Sequence, residues 1–341
     1  MFNSLEDFTC LLDDQLPVPN RLAQETARRR QLQLTKPNGS LGRLEELVLW
    51  FAGWRHNQEL ELQRPATLVF AGNHGVTAQG VSLYPQDVTA QMIANFAAGG
   101  AAINAIASSM GSNLEIIPIR IDEPTGDITI EPAMTDDGLL DALNIGAAAI
   151  ASAGDLFAFG EMGIGNTTVA AALAASSFGG SGKDWVGPGT GLDRDGIAQK
   201  STVIDRALAR HSAAETAVER LRCLGGRELA AIAGAVLAAR RSRIPVILDG
   251  FVATAAIAPL FAENPSIVDH CIAGHVSAEP GHRKLLKEMK LKPILDLGMR
   301  LGEGTGATLA IGILKAAIAT HNGMSTFQEA GVSGPEGKAS Q

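Results

Sequence analysis

The chain has 341 residues, which is enough for one large α/β domain or for two smaller domains. Hydrophobic residues make up 46% of the chain and charged residues 19%, a composition typical of globular proteins that excludes intrinsic disorder. The formal net charge of −8 argues against nucleic acid as the main partner, because no basic face can be drawn from the sequence.

Cysteine content and hydropathy predict a soluble, cytoplasmic protein. The cysteines, Cys10, Cys223 and Cys271, are far apart and odd in number, which favours reduced thiols over a disulfide framework or a zinc site. The acidic N-terminus has no basic segment followed by an apolar core, so no signal peptide is expected. The longest apolar runs, near 228–239 and 305–319, are shorter than the ~20 residues that a membrane-spanning helix needs.

Alternating strands and helices predict an α/β fold. Six near-continuous apolar runs are typical of buried strands in a parallel sheet that is covered on both faces. The predicted strands are 67–72, 114–120, 155–160, 244–250, 267–274 and 292–298. The predicted helices are 86–110, 138–152, 165–178, 193–211, 226–241, 251–262, 280–290 and 304–320. This order predicts a three-layer α/β/α sandwich around a mostly parallel, doubly wound, Rossmann-like sheet.

The N-terminal segment differs from the rest, because it is charged and helical and contains no predicted strand. We expect residues 1–60 to form a small helical lobe that the C-terminal helix 304–320 completes. We expect residues 61–330 to form the large α/β domain. Residues 331–341 are rich in Gly, Ser and Pro and are expected to form a flexible tail.

One local pattern occurs twice in the chain. Gly160 and Glu161 precede MGIGNTTVAAAL, and Gly302 and Glu303 precede GTGATLAIGIL. In both places the sequence predicts a strand, a glycine-rich turn and an Ala-rich helix, which together build an anion site from backbone N–H groups. The first turn lacks the lysine of a P-loop, and its glutamate would repel a phosphate. We therefore expect that carboxylate to face another part of the ligand.

Other polar residues follow the ends of the predicted strands, where open parallel sheets bind ligands. The side chains expected at this edge are Lys200, Thr167, Thr168, Thr190, Ser277 and Thr305. Glycine-rich turns add backbone N–H donors. A single such turn is a weak signal, because many are packing devices, but several converge on this edge. The whole set suits a phosphorylated, polyhydroxylated small molecule.

The two glutamates at the same edge suggest acid–base or electrostatic chemistry at a glycosidic-type carbon. A ribosyl group that loses its C1 substituent becomes oxocarbenium-like. One carboxylate can stabilise that positive charge while the other takes a proton from the nucleophile. The alternative is that both are helix N-terminal residues favoured by the helix dipole, worth about 0.3–1 kcal/mol each. Their shared Gly-Glu context favours the chemical interpretation.

The remaining polar residues indicate no second kind of site. His74 in GNHG is interpreted as a turn or site-wall residue, and His275 and His282 flank Glu279 without a common zinc spacing. A dinucleotide site is disfavoured, because no G-x-G-x-x-G directly follows the first strand with an acidic residue ~20 positions later. Asp249, at the end of a strand, has two interpretations, as a ligand for a hydroxyl group or as the cap of the helix that follows it, and the cap is favoured.

Long motifs along the chain resemble one known family. They are TKPNGSLGRLEEL (35–47), GNHGV (72–76), YPQDVTAQM (84–92), GEMGIGNTT (160–168), GPGTGLD (187–193), LGGRELAAIAG (224–234), ILDGFVATAAI (247–257), GHVSAEPGH (274–282) and LDLGMRLGEGTGA (295–307). Over nearly its whole length the chain resembles the nicotinate-nucleotide:dimethylbenzimidazole phosphoribosyltransferases. The resemblance implies transfer of phosphoribose from nicotinate mononucleotide to 5,6-dimethylbenzimidazole, giving nicotinate and α-ribazole 5′-phosphate in the lower-ligand branch of cobalamin synthesis. It also implies a homodimer that uses no metal or organic cofactor.

The same resemblance implies roles for individual residues. Glu303 is similar to the general base that removes the benzimidazole N–H proton, and Glu161 to the carboxylate that stabilises the ribosyl cation. The residues implied to bind phosphate are Gly163, Lys200 and Ser277, with Gly189 near the ribose. Those implied to bind the base are Tyr84, Pro85, Gln91, Met299 and Leu301. The nitrogen of the leaving nicotinate is already a pyridinium, so no acid is needed to protonate it. Both glutamates are therefore expected to be anionic.

Two other functions stay open from the residues. An N-ribosyl hydrolase would use water as the acceptor, whereas the apolar residues around Tyr84 and Met299 favour an aromatic acceptor. A nucleotide-binding module without chemistry would bind the same ligand and turn nothing over. Release of nicotinate in the absence of an acceptor base would favour the hydrolase.

Overall fold

The computed structural model describes residues 1–55, 60–150 and 154–334. The chain divides into two compact units. The larger unit comprises Met1–Pro17 and Arg64–Ile311, and the smaller unit comprises Val18–Gln63 and Gly312–Gln341.

The larger unit is built on a five-stranded parallel sheet. Its strands are β1 (Pro65–Ala71), β2 (Asn113–Pro118), β3 (Leu156–Met162), β4 (Val246–Leu248) and β5 (Cys271–Ala273). The strand order is β2-β1-β3-β4-β5, and every neighbouring pair is parallel. This is a doubly wound order, in which the chain changes direction across the sheet between β1 and β3.

Helices connect the strands and build the smaller unit. They are α1 (Leu5–Asp13), α2 (Arg21–Gln33), α3 (Arg43–Trp54), α4 (Val88–Ala97), α5 (Ala102–Met110), α6 (Asp136–Ala149), α7 (Asn166–Phe178), α8 (Gly182–Trp185), α9 (Arg194–Arg210), α10 (Ala217–Leu224), α11 (Arg227–Arg241), α12 (Phe251–Ala255), α13 (Ala258–Glu263), α14 (Pro280–Glu288), α15 (Thr305–Gly323) and α16 (Phe327–Ala330). Short 3-10 turns cover Gly75–Gln79 and Pro265–Val268. None of the described helices has both the length and the apolar character needed to cross a membrane.

Helices cover both faces of the sheet, because successive side chains of a strand point to opposite faces. On one face, Leu68 and Phe70 of β1 join the main hydrophobic core together with residues of α6, α7 and α11. On the other face, Val69 packs with Phe96 of α4 and Ile103 of α5. The predicted three-layer α/β/α architecture of the larger unit is confirmed.

The sixth predicted strand, 292–298, is wrong. In the structure this segment makes only an isolated parallel bridge, between Leu295 and His275. Pro293 has no N–H group to donate to a neighbouring strand, and the Leu297 side chain is 59% exposed. Backbone hydrogen bonds hold the segment beside β5, such as those from Ile294 N–H to the carbonyl of Ala273 at 3.0 Å and from Val276 N–H to the carbonyl of Leu295 at 2.8 Å, but the segment lacks the burial of a strand.

Two of the predicted helices are each interrupted. The predicted helix 86–110 is split into α4 and α5 at Gly99 and Gly100, and Gly99 has a φ of +79° that ends the first helix. The predicted helix 251–262 is split into α12 and α13 near Ile257. Both breaks lie outside the sheet, so the order of layers is unchanged.

The expected lobe of residues 1–60 has a different boundary in the structure. The first 17 residues belong to the larger unit, because Phe8 and Leu12 are buried in its main core. The larger unit also ends within α15, at Ile311, whereas the expected domain 61–330 extends to residue 330. Residues 335–341 of the expected tail lie outside the described residues.

Candidate active site

The first Gly-Glu pair lies where β3 ends and α7 begins. Glu161 is the penultimate residue of β3 and is 8% exposed. The Nδ2 atom of Asn166, the first residue of α7, donates a hydrogen bond to the Glu161 carboxylate. Between them, Gly165 has a φ of +94°, in the left-handed region that favours glycine. The strand, glycine turn and helix predicted here are all present.

The second Gly-Glu pair lies at the start of α15. Gly302, Glu303 and Gly304 have consecutive φ values of +83°, +62° and +78°. The carboxylate of Asp249, one residue beyond β4, accepts hydrogen bonds from the backbone N–H groups of Gly304 at 3.1 Å and Ala307 at 2.8 Å. Asp249 therefore caps α15, and the prediction that it caps the helix following it in sequence is wrong. Its two bonds hold the backbone on which Glu303 sits.

The two pairs lie directly against each other. The backbone N–H of Glu303 donates a hydrogen bond to the carbonyl of Glu161 at 3.2 Å. A Cβ atom on Gly160 would lie 2.2 Å from the backbone nitrogen of Gly304, so only glycine permits this approach. The repeated sequence pattern thus brings both glutamates to one place, although the second pair does not follow a strand.

A cavity of about 550 Å³ opens beyond the carboxyl ends of the strands. Doubly wound sheets bind their ligands at this edge. The predicted site residues that line the cavity are Tyr84, Glu161, Gly163, Gly189, Ser277, Leu301 and Glu303. Its volume is in the range of small-molecule sites, about 300–1,000 Å³.

Burial raises the pKa of both glutamates into the neutral range. The pKa of Glu161 is raised to about 8, first by burial and then by the negative charges of Asp249 and Glu228, while the hydrogen bond from Asn166 opposes the rise. The pKa of Glu303 is raised to about 7 by burial and by the charge of Asp249. Groups that titrate near neutral pH are suited to proton transfer. At pH 7 the protein therefore favours the protonated form of Glu161. This differs from the expectation that both carboxylates are anionic.

Lys200 lies behind the cavity wall, on α9, and is 1% exposed. Its Nζ atom donates a hydrogen bond to Oγ1 of Thr167 at 2.6 Å, and Thr167 lines the cavity. Burial lowers the pKa of Lys200 to about 8, and the negative charge of Glu279 opposes that effect. The ammonium group is therefore mainly protonated at pH 7 and attracts an anion bound in the cavity.

Comparison with known proteins decides the family. Residues 16–332 match the family model described as "Phosphoribosyltransferase". The chain is 55% identical to nicotinate-nucleotide–dimethylbenzimidazole phosphoribosyltransferase of Novosphingobium aromaticivorans, over 97% of this chain and 98% of that protein. The protein of the same name from Brucella abortus is 54% identical, over 96% and 97%. The chain belongs to the nicotinate-nucleotide–dimethylbenzimidazole phosphoribosyltransferase family.

A solved structure supports the same assignment. The crystal structure of CobT from Thermus thermophilus superposes with a TM-score of 0.86 at 42% identity, covering 92% of this chain and 99% of that one. Sequence and fold therefore agree over nearly the whole length, so the phosphoribosyltransferase activity inferred from the sequence is confirmed.

The residues assigned to phosphate and ribose are only partly available to a ligand. Gly163 and Ser277 line the cavity, and Ser277 is buried. Gly189 also lines it, but its backbone N–H already donates to Oε1 of Glu279 at 2.9 Å. In this member of the family, contact of Gly189 with the ribose would have to use its carbonyl or its Cα surface.

The residues assigned to the base divide into two groups. Tyr84 and Leu301 line the cavity and are 53% and 58% exposed. Pro85 is not among the described residues that line this cavity, and it borders a neighbouring cavity together with Tyr84. An exposed aromatic ring and an exposed leucine at the cavity mouth form a surface on which a flat aromatic ligand can pack.

Gln91 and Met299 are not among the described residues that line the cavity. Val88 and Met92, four residues apart on α4, line it instead, whereas Gln91 of the same helix is exposed. Met299 contributes its backbone to the fold, because its carbonyl accepts a hydrogen bond from Ala278 at 2.9 Å.

Several lining residues were missed by the sequence reasoning. They are Val88, Met92, Phe251, His275, Glu279 and Arg300. The four-residue spacing of Val88 and Met92 on a predicted helix was a signal for one of the apolar walls. His275 and Glu279 stand in GHVSAEPGH, a segment in which the family resemblance implies a site role for Ser277 alone.

His74 is a structural residue of the turn after β1. It is fully buried, and its Nε2 atom lies 2.6 Å from Oε1 of Glu228. A Cβ atom on Gly226 would lie 2.3 Å from its ring, so the imidazole packs tightly beneath the α11 N-terminus. Among the described residues, no group of three or more His, Cys, Asp or Glu side chains is arranged to hold a metal ion.

Proposed function

We propose that this chain transfers phosphoribose from nicotinate mononucleotide to 5,6-dimethylbenzimidazole, the reaction that its relatives' names imply, and that Glu303 and Glu161 carry out the chemistry. The products are nicotinate and α-ribazole 5′-phosphate, in the lower-ligand branch of cobalamin biosynthesis. The observation that carries the assignment of roles is the contact between the two Gly-Glu turns. It gives two buried carboxylates with pKa values near neutrality at one edge of one cavity.

Glu303 acts as the general base. A benzimidazole nitrogen becomes cationic when it attacks C1 unless the other nitrogen loses its proton. A pKa of about 7 leaves a large fraction of Glu303 ionised at neutral pH and basic enough to accept that proton. Glu303 lines the cavity, and its Oε2 atom is buried without a hydrogen-bond partner among the described residues.

Glu161 stabilises the positive charge that develops on the ribose. A pKa of about 8 means that the carboxyl group holds a proton at pH 7 until a positive charge approaches it. The pyridinium of nicotinate mononucleotide brings such a charge, which favours the ionised form. Binding of the substrate and ionisation of Glu161 are then coupled, and the carboxylate faces the carbon that becomes oxocarbenium-like.

The phosphate binds at the turn after β3. Backbone N–H groups from Gly163 onward lie at the N-terminus of α7, where the helix dipole favours an anion. Lys200 adds a positive charge from behind Thr167, and Ser277 adds a hydroxyl group. The phosphate and the glutamates thus contact different ends of the same ligand.

The acceptor base binds at the mouth of the cavity. Tyr84 and Leu301 form one side of the slot, and Val88 and Met92 of α4 add apolar surface. Attack from the face opposite the leaving nicotinate inverts C1 and gives the α-glycosidic bond. Much of the rate acceleration comes from holding the two substrates in line.

The proposal includes a cytoplasmic homodimer without a metal or organic cofactor. The resemblance to the family is what supports this part. A mass measurement in solution, by light scattering on the full chain, should return twice the mass of one chain. A mass equal to one chain would contradict the dimer and leave the assignment of the reaction unaffected.

Product analysis tests the function. The wild-type enzyme with nicotinate mononucleotide and dimethylbenzimidazole should release nicotinate and α-ribazole 5′-phosphate in equal amounts, with the α-anomer identified by NMR. Nicotinate release at the same rate without the base would indicate a hydrolase. Tight binding of the nucleotide with no turnover would indicate a binding module. Glu288→Gln, at an exposed position at the end of α14, serves as the active control.

A further inference from the structure

Arg300 is the only arginine or lysine among the described residues that line the cavity. Its side chain is exposed, and its Nη1 atom donates a hydrogen bond to the carbonyl of Gly189 at 3.2 Å. No carboxylate of the described residues forms an ion pair with Arg300. A guanidinium group has five N–H donors, so most of those of Arg300 are available to a ligand in the cavity.

Gly189 lies between Arg300 and the other positive charge of the site, that of Lys200. A Cβ atom on Gly189 would lie 3.0 Å from Nζ of Lys200 and 2.8 Å from Oγ1 of Thr167. One glycine therefore contacts both cations, Arg300 through its carbonyl group and Lys200 through its Cα atom. Two neighbouring cations repel each other, and an anion bound beside both removes that repulsion. This arrangement favours an anion-binding subsite that Arg300 and Lys200 share.

The phosphate of the proposed substrate needs more positive charge than the residues assigned to it supply. A phosphate monoester carries a charge of about −1.5 to −2 at pH 7. The N-terminus of α7 contributes the equivalent of about half a positive charge. Lys200 contributes one more, but its ammonium group lies behind Thr167. Arg300 supplies the remaining charge from the open side of the cavity, and its planar fork of N–H groups matches two phosphate oxygens.

The carboxylate of the nicotinate group is the other anion that Arg300 could bind. The position of the guanidinium group favours the phosphate, because Arg300 is hydrogen-bonded to Gly189 and Gly189 contacts Thr167 and Lys200. Those two residues stand at the α7 end of the cavity, where the phosphate is proposed to bind.

We propose that Arg300 binds the 5′-phosphate of the nucleotide substrate directly, through the N–H groups that its bond to Gly189 leaves available. This inference rests on the proposed function, because it names a further residue that contacts the same substrate. Arg300 and Lys200 then hold the phosphate from two sides, one from within the cavity and one from behind its wall. Arg300 is a substrate-binding residue and takes no part in proton transfer.

Two other roles for Arg300 predict different dependences on the substrate. If the side chain only held Gly189 in place, its loss would weaken every donor equally. If it bound the nicotinate carboxylate, its loss would matter only for donors that carry this carboxylate. If it binds the phosphate, its loss matters only for donors that carry a phosphate. An experiment that varies the residue and the donor together separates the three roles.

The test measures kcat/KM for wild-type enzyme and Arg300→Gln with three donors. They are nicotinate mononucleotide, nicotinate riboside, which lacks the phosphate, and nicotinamide mononucleotide, which lacks the carboxylate. Each donor is compared between the two enzymes, so its intrinsic reactivity cancels. We expect Arg300→Gln to reduce kcat/KM by about 10–100-fold with both mononucleotides, the range for a hydrogen bond to a charged group. With the riboside the reduction should be within about threefold.

Each departure from this pattern has a defined meaning. Equal reductions with all three donors would overturn the proposal in favour of a structural role. A reduction with the riboside but not with nicotinamide mononucleotide would overturn it in favour of the carboxylate. Absence of any transfer by wild-type enzyme from nicotinate mononucleotide would instead refute the proposed function. Arg241→Gln, at the end of α11 and not among the residues lining the cavity, is the matched control and should behave as wild type.

Chemical labelling of the wild-type enzyme tests the proposal without a variant and without turnover. Phenylglyoxal modifies arginine side chains, and peptide mass spectrometry follows Arg300 together with the exposed Arg29 of α2 as an internal control. At ten times its Kd, ribose 5-phosphate should slow the labelling of Arg300 by about tenfold, because only the free enzyme reacts, and should leave Arg29 unchanged. Nicotinate should slow neither. An unchanged rate at Arg300 with ribose 5-phosphate, or protection by nicotinate alone, would overturn the proposal.

Discussion

At the scale of single residues, Glu303 stands out because it is a non-glycine residue with a φ of +62°. Such backbone conformations cost on the order of 1–3 kcal/mol and persist where neighbouring structure holds them. Here Gly302 and Gly304 take the same left-handed region, and the two hydrogen bonds to Asp249 fix the turn. Asp249 thus positions Glu303, and its negative charge also helps to raise the pKa of that carboxyl group.

Replacing Asp249 by Asn should move the pH dependence of the reaction. The base form of Glu303 is the active one, so kcat/KM should rise with pH through its pKa of about 7. Removal of the nearby negative charge lowers that pKa, so the rising limb in Asp249→Asn should lie at lower pH than in wild type. Titration of the substrates is common to both enzymes and cancels in the comparison. A lower rate with an unchanged midpoint would show that Asp249 acts on Glu303 through geometry alone.

Residue types and local pattern were sufficient to predict some of the site. Glu161 and Glu303 were recognisable because each follows a glycine and precedes a glycine turn and an Ala-rich helix. Glu279 was not recognisable as a wall residue, because its position depends on contact with Gly187 and Gly189, about 90 residues earlier in the chain. No local spacing encodes a contact of that kind.

At the scale of elements, the site depends on how closely the end of β3 approaches the start of α15. Gly160 is where the two elements meet, since a Cβ atom there would lie 2.2 Å from a backbone nitrogen. Backbone atoms cannot move aside as the end of a flexible side chain can. The element that carries Glu303 must therefore shift if residue 160 gains a side chain.

Gly160→Ala should separate the two glutamates. We expect kcat to fall by about 10²-fold, because a displacement of ~1 Å is enough to disturb the alignment of reacting groups. Steady-state kinetics would measure the loss, and thermal unfolding would show whether the fold is retained. Gly323→Ala, at the end of α15, is the matched control, because a Cβ atom there meets nothing within 4 Å. Wild-type kcat in Gly160→Ala would contradict the proposed contact.

The five strands could be predicted because each contains a short apolar run between predicted helices, although β2 is only partly buried in the structure. The segment 292–298 has the same kind of run, KPILDLG, and was predicted wrongly. Its strand character depends on what lies beyond β5, at the edge of the sheet, which local hydrophobicity does not reveal. The pair Gly99 and Gly100 was a sequence signal for the break between α4 and α5. The helical spacing of apolar residues on both sides of the pair nevertheless predicted one continuous helix.

At the scale of the whole molecule, the buried carboxylates destabilise the fold at neutral and higher pH. The pKa of Glu161 is about 8 in the folded state, against an ordinary value of 4.5. The folded state therefore binds this proton more tightly than the unfolded state does. Stability falls as pH rises between those two values, and the loss is complete above the folded-state pKa.

Glu161→Gln should accordingly stabilise the protein while reducing activity. The increase in the free energy of unfolding should be small at about pH 5 and should reach a few kcal/mol at about pH 8.5. Each pKa unit corresponds to about 1.4 kcal/mol. Thermal unfolding at the two pH values would measure it as a rise in Tm of about 2–4 °C for each kcal/mol. An equal Tm for variant and wild type at the higher pH would contradict the raised pKa. The exposed Glu288→Gln should leave Tm unchanged at both.

The role of Glu303 as base is tested most directly by the single-turnover rate of phosphoribosyl transfer in Glu303→Gln, with both substrates saturating. Saturation removes effects on binding and leaves the chemical step. The proposed mechanism predicts a rate about 10²–10⁴-fold below wild type, the usual contribution of general base catalysis. A variant that transfers phosphoribose at close to the wild-type rate would contradict it.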